Sequence, residues 1–155
     1  MQLSVRSFEL ADTPQLLQLA KQALDGLAER RGGLEFQEQF AQFQDIKATE
    51  IQQRLLEVNR EVFVGLLDGQ AFGLCLVCHQ DSVLTAEALY VDPEAREVGL
   101  GSALLQAAEL RARELKCSRF EALALPGDRH MKQRAESEAM KARLLVLSKT
   151  LSERP

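Results

Sequence analysis

Three runs of alternating apolar residues follow one another between Glu61 and Val91, separated only by turn residues. Val62, Val64 and Leu66 make the first run, and Phe72, Leu74, Leu76 and Cys78 the second. VLTAEALYV, from Val83 to Val91, is the third. Alternation at period two puts every second side chain on one face of a pleated strand. Asp68-Gly69 marks a tight hairpin turn, and Gln80-Asp81-Ser82 makes another. The stretch predicts an antiparallel meander.

Beyond Val91 the pattern changes. Asp92-Pro93 ends the strand, and Gly99-Leu100-Gly101 opens a helical segment. Leu100, Ala103, Leu104, Ala107 and Ala108 lie on one side of it, with Glu109, Arg111, Arg113 and Glu114 as polar surface. Cys117 to Leu125 reads as another strand. A strand, a crossover helix and a strand imply a parallel pair. Pro126-Gly127-Asp128 leads into a short polar helix from Arg129 to about Ala139, and Arg143 to Leu151 predicts a terminal strand.

Before the meander, Leu3, Val5 and Phe8 form a short extended start. Asp12 or Thr13 caps a helix, with Pro14 in its first turn and Gln15 placed to close a capping box. Leu16, Leu17, Ala20, Ala23, Leu24 and Leu27 follow at helical spacing, and Gly32-Gly33 stops the helix. A second helical region runs from about Leu34 to Val58, with Phe36, Phe40 and Phe43 on one face and an interruption near Asp45 to Lys47. The expected order is β-α-α-β-β-β-α-β-α-β, an α/β domain over residues 1–155 without linker or internal repeat.

Composition narrows the classes. At 155 residues, 46% hydrophobic and 27% charged, with a net charge of −4, the chain is neither wholly disordered, collagen-like nor membrane-embedded. No charge excess argues for nucleic acid. The alternating, charged start MQLSVRSFEL is not a secretory leader, and no apolar run approaches the roughly 20 residues that span a bilayer. Cys75, Cys78 and Cys117 form no disulfide framework, so a reducing cytoplasm is expected. With only His79 and His130, a histidine-rich metal site is ruled out.

Arg96-Glu97-Val98-Gly99-Leu100-Gly101 is the sharpest chemical feature. A glycine-rich turn before a helix exposes backbone N–H groups that favour phosphate, and Arg96 adds a positive charge. A plain turn with a surface arginine fits the same spacing. Ser102 and Ala103 are small enough to admit a ligand or a strand. The P-loop spacing is absent, and GLGSAL lacks the third glycine of a dinucleotide fingerprint.

With VLTAEALYVDPEA before it and SALLQAAELRARE after it, this segment resembles the GCN5-related N-acetyltransferase (GNAT) superfamily. Arg96, Gly99 and Gly101 match the three fixed positions of that family's acetyl-coenzyme A signature, and the resemblance is strongest from Leu84 to Leu125. It implies acetyl transfer from acetyl-coenzyme A to a primary amine, on a small molecule or a peptide. It also implies a mixed sheet splayed between its fourth and fifth strands. Pantetheine would pair with the backbone around Leu89, Tyr90 and Val91. The pyrophosphate would rest on the N–H groups of Val98, Gly99, Leu100, Gly101, Ser102 and Ala103. A homodimer is compatible with the family. The C-terminal third resembles a bacterial subgroup with a PGDR-type segment. Where such relatives use a tyrosine acid this chain has Ala135, and Ala139 stands where a glycine is expected. A catalytically degenerate acyl-coenzyme A sensor is the alternative.

Glu87 interrupts an apolar strand and is the leading general-base candidate; a sheet-edge carboxylate or a partner for substrate charge fits the same position. Tyr90, the only tyrosine, is the one side chain able to replace the missing acid in kind. Glu121 reads as an edge residue, and His79 and His130 as surface groups. Cys75 and Cys78 read as buried small hydrophobes, and Cys117 has no activating base near it in sequence.

Overall fold

In the computed structural model, which describes residues 1–27, 59–125, 128–147, 149 and 151, the meander forms as expected. β1 (Leu3–Ser7) pairs antiparallel with β2 (Arg60–Leu67). β2 pairs with β3 (Gln70–Gln80), and β3 with β4 (Val83–Val91), both antiparallel. β5 (Arg119–Ala122) adds to β4 in parallel. The result is a five-stranded mixed sheet in sequence order. Both hairpins close on two residues at positive φ: 49° and 82° at Asp68 and Gly69, 50° and 65° at Asp81 and Ser82. This is the twist of a type I′ turn, which matches that of the flanking strands.

Helices cover the two faces. α1 (Thr13–Leu27) buries Leu16, Leu19, Ala20, Ala23 and Leu24 against Val62, Val64, Leu66, Leu74 and Leu76. α2 (Leu100–Glu114) buries Leu100, Leu104, Leu105 and Ala108 against Phe63, Cys75, Val77, Leu84 and Ala86. Gly65 and Gly73 face each other across β2 and β3. A Cβ on Gly65 would lie 2.8 Å from Leu100 Cδ1, and one on Gly73 3.0 Å from Leu104 Cδ1. The two bare positions let the first turns of α2 settle onto the sheet. α3 (Arg129–Ser137) packs on the α2 side through buried Met131.

The α1 entrance differs from expectation. A 3-10 turn, Leu10–Asp12, precedes Thr13, and Asp12 reaches backwards. Its carboxylate accepts from the Glu9 N–H at 2.8 Å and from both Arg6 terminal nitrogens at 2.6 and 2.8 Å. The charge pair draws the cap towards β1 and away from Gln15.

β4 is not a regular strand. Leu76 pairs with Ala88 and Val77 with Ala86, which leaves Glu87 as the extra residue of a β-bulge. Leu84 and Ala86 face α2, whereas Ala88 and Tyr90 face α1. Simple alternation would have kept all four on one face.

The expected strand from Cys117 to Leu125 contracts to Arg119–Ala122. Lys116, at φ 57°, closes α2: its N–H bonds to Arg113 O, and the Cys117 N–H bonds to Ala112 O. This is the reversed 6→1 and 5→2 pair of a Schellman ending, and it uses up the start of the apolar run. Among the described residues the expected terminal strand does not form. Residues 141–147 lie outside any helix or strand, and Leu144, Leu145, Val146 and Leu147 are exposed. The second helical region, 34–58, and the Gly32-Gly33 stop lie outside the described residues. Among the described residues, no helix is long and apolar enough to cross a membrane.

Candidate functional site

The parallel ladder between β4 and β5 runs only from Val83/Arg119 to Ala86/Ala122. One more bond follows, from the Leu123 N–H to Ala86 O at 3.0 Å. β4 continues through the bulge to Val91, and among the described residues no strand pairs with Glu87–Val91 on the β5 side. The sheet is therefore splayed where β4 approaches the entrance of α2.

That entrance is built by a compact loop. The Asp92 N–H bonds to Phe72 O at 2.7 Å, and its carboxylate accepts from the Glu94 N–H at 2.9 Å across the short 3-10 turn Pro93–Ala95. Glu97 at φ 68° and Gly99 at φ 90° reverse the chain. Gly99 occupies the N-cap without a side chain that could cover the helix end. The Ala103 N–H makes the first intrahelical bond, to Gly99 O at 3.0 Å. The N–H groups of Leu100, Gly101 and Ser102 precede that bond and have no intrahelical acceptor. Ala103 is thus withdrawn from the expected row of donors.

A cleft of about 180 Å³ opens over these groups, lined by Val91, Arg96, Gly99, Leu100, Gly101, Ser102 and Arg134, among others. Arg96 Nε donates to Val91 O at 3.0 Å, and its guanidinium lies 5.8 Å from the Tyr90 ring centroid. That bond engages the Val91 carbonyl and fixes the arginine beside the helix end. A Cβ on Gly101 would meet the Arg134 guanidinium, the far end of a flexible side chain that would have to swing aside. Burial, opposed by Asp128 and reinforced by Arg96, works against the Arg134 cation and lowers its pKa. Two arginines and a helix N-terminus thus meet at the cleft, with Glu97 also on its lining.

Of the expected cofactor residues, Val91, Arg96, Gly99, Leu100, Gly101 and Ser102 meet at the cleft; Val98 and Ala103 do not line it. Leu89 and Tyr90 pair with β3, lie where no described strand flanks β4 on the β5 side, and pack towards opposite helices. Glu87 sits in the bulge as a buried residue. Its two oxygens accept from Arg60 Nε at 2.5 Å and Nη2 at 3.2 Å. The Tyr90 hydroxyl reaches Gln22 Oε1 on α1 at 3.3 Å. Glu121 pairs with Arg119 at 2.9 Å, as an edge residue would. Cys75 is buried, and desolvation pushes its thiol up to about 12. Among the described residues, no cluster of three or more His, Cys, Asp or Glu could hold a metal.

Two arginines escaped the sequence reading. Arg60 stands at the start of a strand whose apolar alternation drew attention to other positions. Arg134 had a usable signal: it lies three residues after Met131, the apolar residue that marks the inward face of α3.

The model of the acetyltransferase (GNAT) family matches residues 21–134. No curated protein matches the chain. Among solved structures, an acetyltransferase of Trypanosoma brucei is 18% identical, with a TM-score of 0.70 over 97% of this chain and 100% of its own. An aminoglycoside acetyltransferase from an uncultured soil metagenomic sample is 21% identical, with a TM-score of 0.68 over 97% of each chain. The PaiA N-acetyltransferase of Thermoplasma acidophilum, solved with coenzyme A, is 15% identical, with a TM-score of 0.69 over 89% of each. At these identities the structures attest the fold, and the family match spans most of the chain. The chain belongs to the acetyltransferase (GNAT) family and shares the fold of these structures.

Proposed function

We propose that the protein binds acetyl-coenzyme A along the open edge of β4 and transfers its acetyl group to a primary amine by direct attack. One observation carries this reading. The stretch of β4 from Glu87 to Val91, which no strand among the described residues flanks on the β5 side, leads directly to a cleft of backbone donors and arginines at the start of α2. An extended amide-bearing arm needs an unpaired strand edge, and a diphosphate needs convergent donors without side-chain cover. The neighbour from Thermoplasma acidophilum was solved with coenzyme A, which fits the same reading.

Acetyl-coenzyme A supplies an activated thioester; the chain positions it and handles protons. Leu89 and Tyr90 offer backbone groups to the arm. Gly99, Leu100, Gly101 and Ser102 offer N–H donors, and Arg96 offers charge. Glu87 is the proposed base for the amine. Both its oxygens are engaged by Arg60, so it takes up a proton only by loosening one of those bonds or through a water. Tyr90 is directed to Gln22 on α1, and Ala135 has no proton to give. The departing thiol has a free pKa near 8.5, so its release near neutral pH does not demand a protein acid.

The engagement of both Glu87 oxygens by Arg60 and the alanine at position 135 favour the alternative, an acyl-coenzyme A sensor without turnover. Coenzyme A release across a panel of small-molecule and peptide amines, with products verified by mass, separates the two. Acetyl-coenzyme A binding with no amine-dependent release would support the sensor. If Glu87 is the base, Glu87→Gln lowers turnover more than acetyl-coenzyme A affinity; wild-type turnover at every pH removes that role. Tyr90→Phe should keep substantial turnover. Near-complete loss of the chemical step at normal affinity would make Tyr90 the acid. The free thiols of Cys75, Cys78 and Cys117 fit a reducing, cytoplasmic setting. A homodimer belongs to the same proposal and is checked by sedimentation.

A further inference from the structure

The Arg134 guanidinium is only partly exposed and rests directly on Gly101. Among the described residues it makes no hydrogen bond and no ion pair; only Asp128, at the start of the same helix, supports its charge from a distance. Arg96, on the lining of the same cleft, opposes it. A cation held against another cation and a helix N-terminus is in an unfavourable place unless an anion joins them. α3 fixes it there, because Met131 on the same helix face is buried in the α2 core and Asp128 caps the helix through the Met131 N–H at 3.0 Å.

We propose that Arg134 is a second diphosphate-binding residue, closing over the phosphates of the acyl donor together with Arg96. This rests on the donor-binding reading above and extends it from the glycine turn to the C-terminal helix. The α2 N-terminus meets the diphosphate from below, Arg96 from the β4 side and Arg134 from α3. A planar guanidinium fits phosphate oxygens in pairs, whereas an ammonium offers a point charge. The clamp reads the diphosphate alone and is indifferent to the 3′-phosphate and to the acyl group.

The test is calorimetric titration of coenzyme A, dephospho-coenzyme A and pantetheine into wild type, Arg134→Ala and Arg134→Lys at two salt concentrations. Circular dichroism verifies that α3 is retained. The expected result is at least a tenfold weaker affinity of Arg134→Ala for both coenzyme A and dephospho-coenzyme A. Arg134→Lys should fall between, the alanine variant should show a smaller loss of affinity with added salt, and pantetheine binding should not change. Unchanged or tighter coenzyme A binding by folded Arg134→Ala overturns the clamp; tighter binding would mark the arginine as an obstruction. Equal losses for pantetheine would overturn it too, since they would report a general disturbance of α3. Wild-type protein that binds no coenzyme A defeats the donor-binding reading itself, and the clamp with it.

Discussion

Ala139 carries a backbone conformation that its side chain disfavours. It holds φ at 64°, and its N–H bonds to Glu136 O while the Met140 N–H bonds to Ala135 O, both at 3.0 Å. This is a Schellman ending to α3 with alanine where glycine is the usual residue, and a left-handed alanine costs about 1 kcal/mol. Ala139→Gly should raise stability by up to about 1 kcal/mol, less the entropy that glycine adds to the unfolded chain. A folded variant with a lower denaturant midpoint would show that the ending is not strained. Asp12 makes a pH-dependent contribution instead. Hydrogen bonds from the Arg6 guanidinium hold its carboxyl below the ordinary range, against the opposing effect of burial. The folded chain therefore gives up this proton at a lower pH than the unfolded chain, whose value is about 3.9. The stabilisation is complete above about pH 4 and fades as pH falls through the depressed folded value. Asp12→Asn should cost about 1–3 kcal/mol near neutrality, as loss of a charged hydrogen-bonded pair does. Melting curves of wild type and variant should converge in acid; curves that stay parallel down to pH 2 would contradict the linkage.

α2 couples the core to the cleft, because its first residue, Leu100, is both a buried core group and a cleft-lining residue. Its seat on the sheet depends on Gly65, where an added Cβ would lie 2.8 Å from Leu100 Cδ1. Gly65→Ala should destabilise by about 1–3 kcal/mol through overpacking and weaken coenzyme A binding with it. Loss of stability at unchanged affinity would show that the cleft tolerates a displaced helix end. This dependence on packing also explains what could be read from the sequence. Asp68-Gly69 and Asp81-Ser82 were legible because a two-residue hairpin is a local problem of backbone dihedrals. Arg96, Gly99 and Gly101 were legible because a glycine turn before a helix is local too. The bulge at Glu87 was not, since it exists only in the pairing with β3, and it turned Ala88 and Tyr90 to the face opposite Leu84 and Ala86. Nor was the shortened β5: the Schellman ending at Lys116 and the Ser118 bonds to Ser82, at 2.8 Å from the backbone N–H, claim residues that read as strand by composition alone.

Two apolar clusters on opposite faces of one sheet hold the described part of the chain together, and the C-terminal segment lies beyond both. Its boundary is sharp. Met131 is buried and Met140 still packs on the α2-side cluster, but Leu144, Leu145, Val146 and Leu147 are 73–92% exposed. These four residues were expected to form a strand because their composition suits one. Composition gives the propensity to pair; a strand also needs a ladder partner, and none meets this stretch among the described residues. Apolar area contributes to stability only when it leaves water, so these side chains add little to this fold although they are as hydrophobic as those of the core. The double variant Leu145→Lys/Leu147→Lys should therefore change unfolding free energy by no more than about 0.5 kcal/mol, the range of ordinary surface substitutions. Met131→Ala, by contrast, should cost about 2–5 kcal/mol, as truncation of a buried methionine does. Denaturant titrations at two protein concentrations read both effects. A loss comparable to that of Met131→Ala in the lysine variant would mean that the segment buries its apolar side chains after all. Dependence of that loss on protein concentration would place the burial between copies, and independence would place it within one chain.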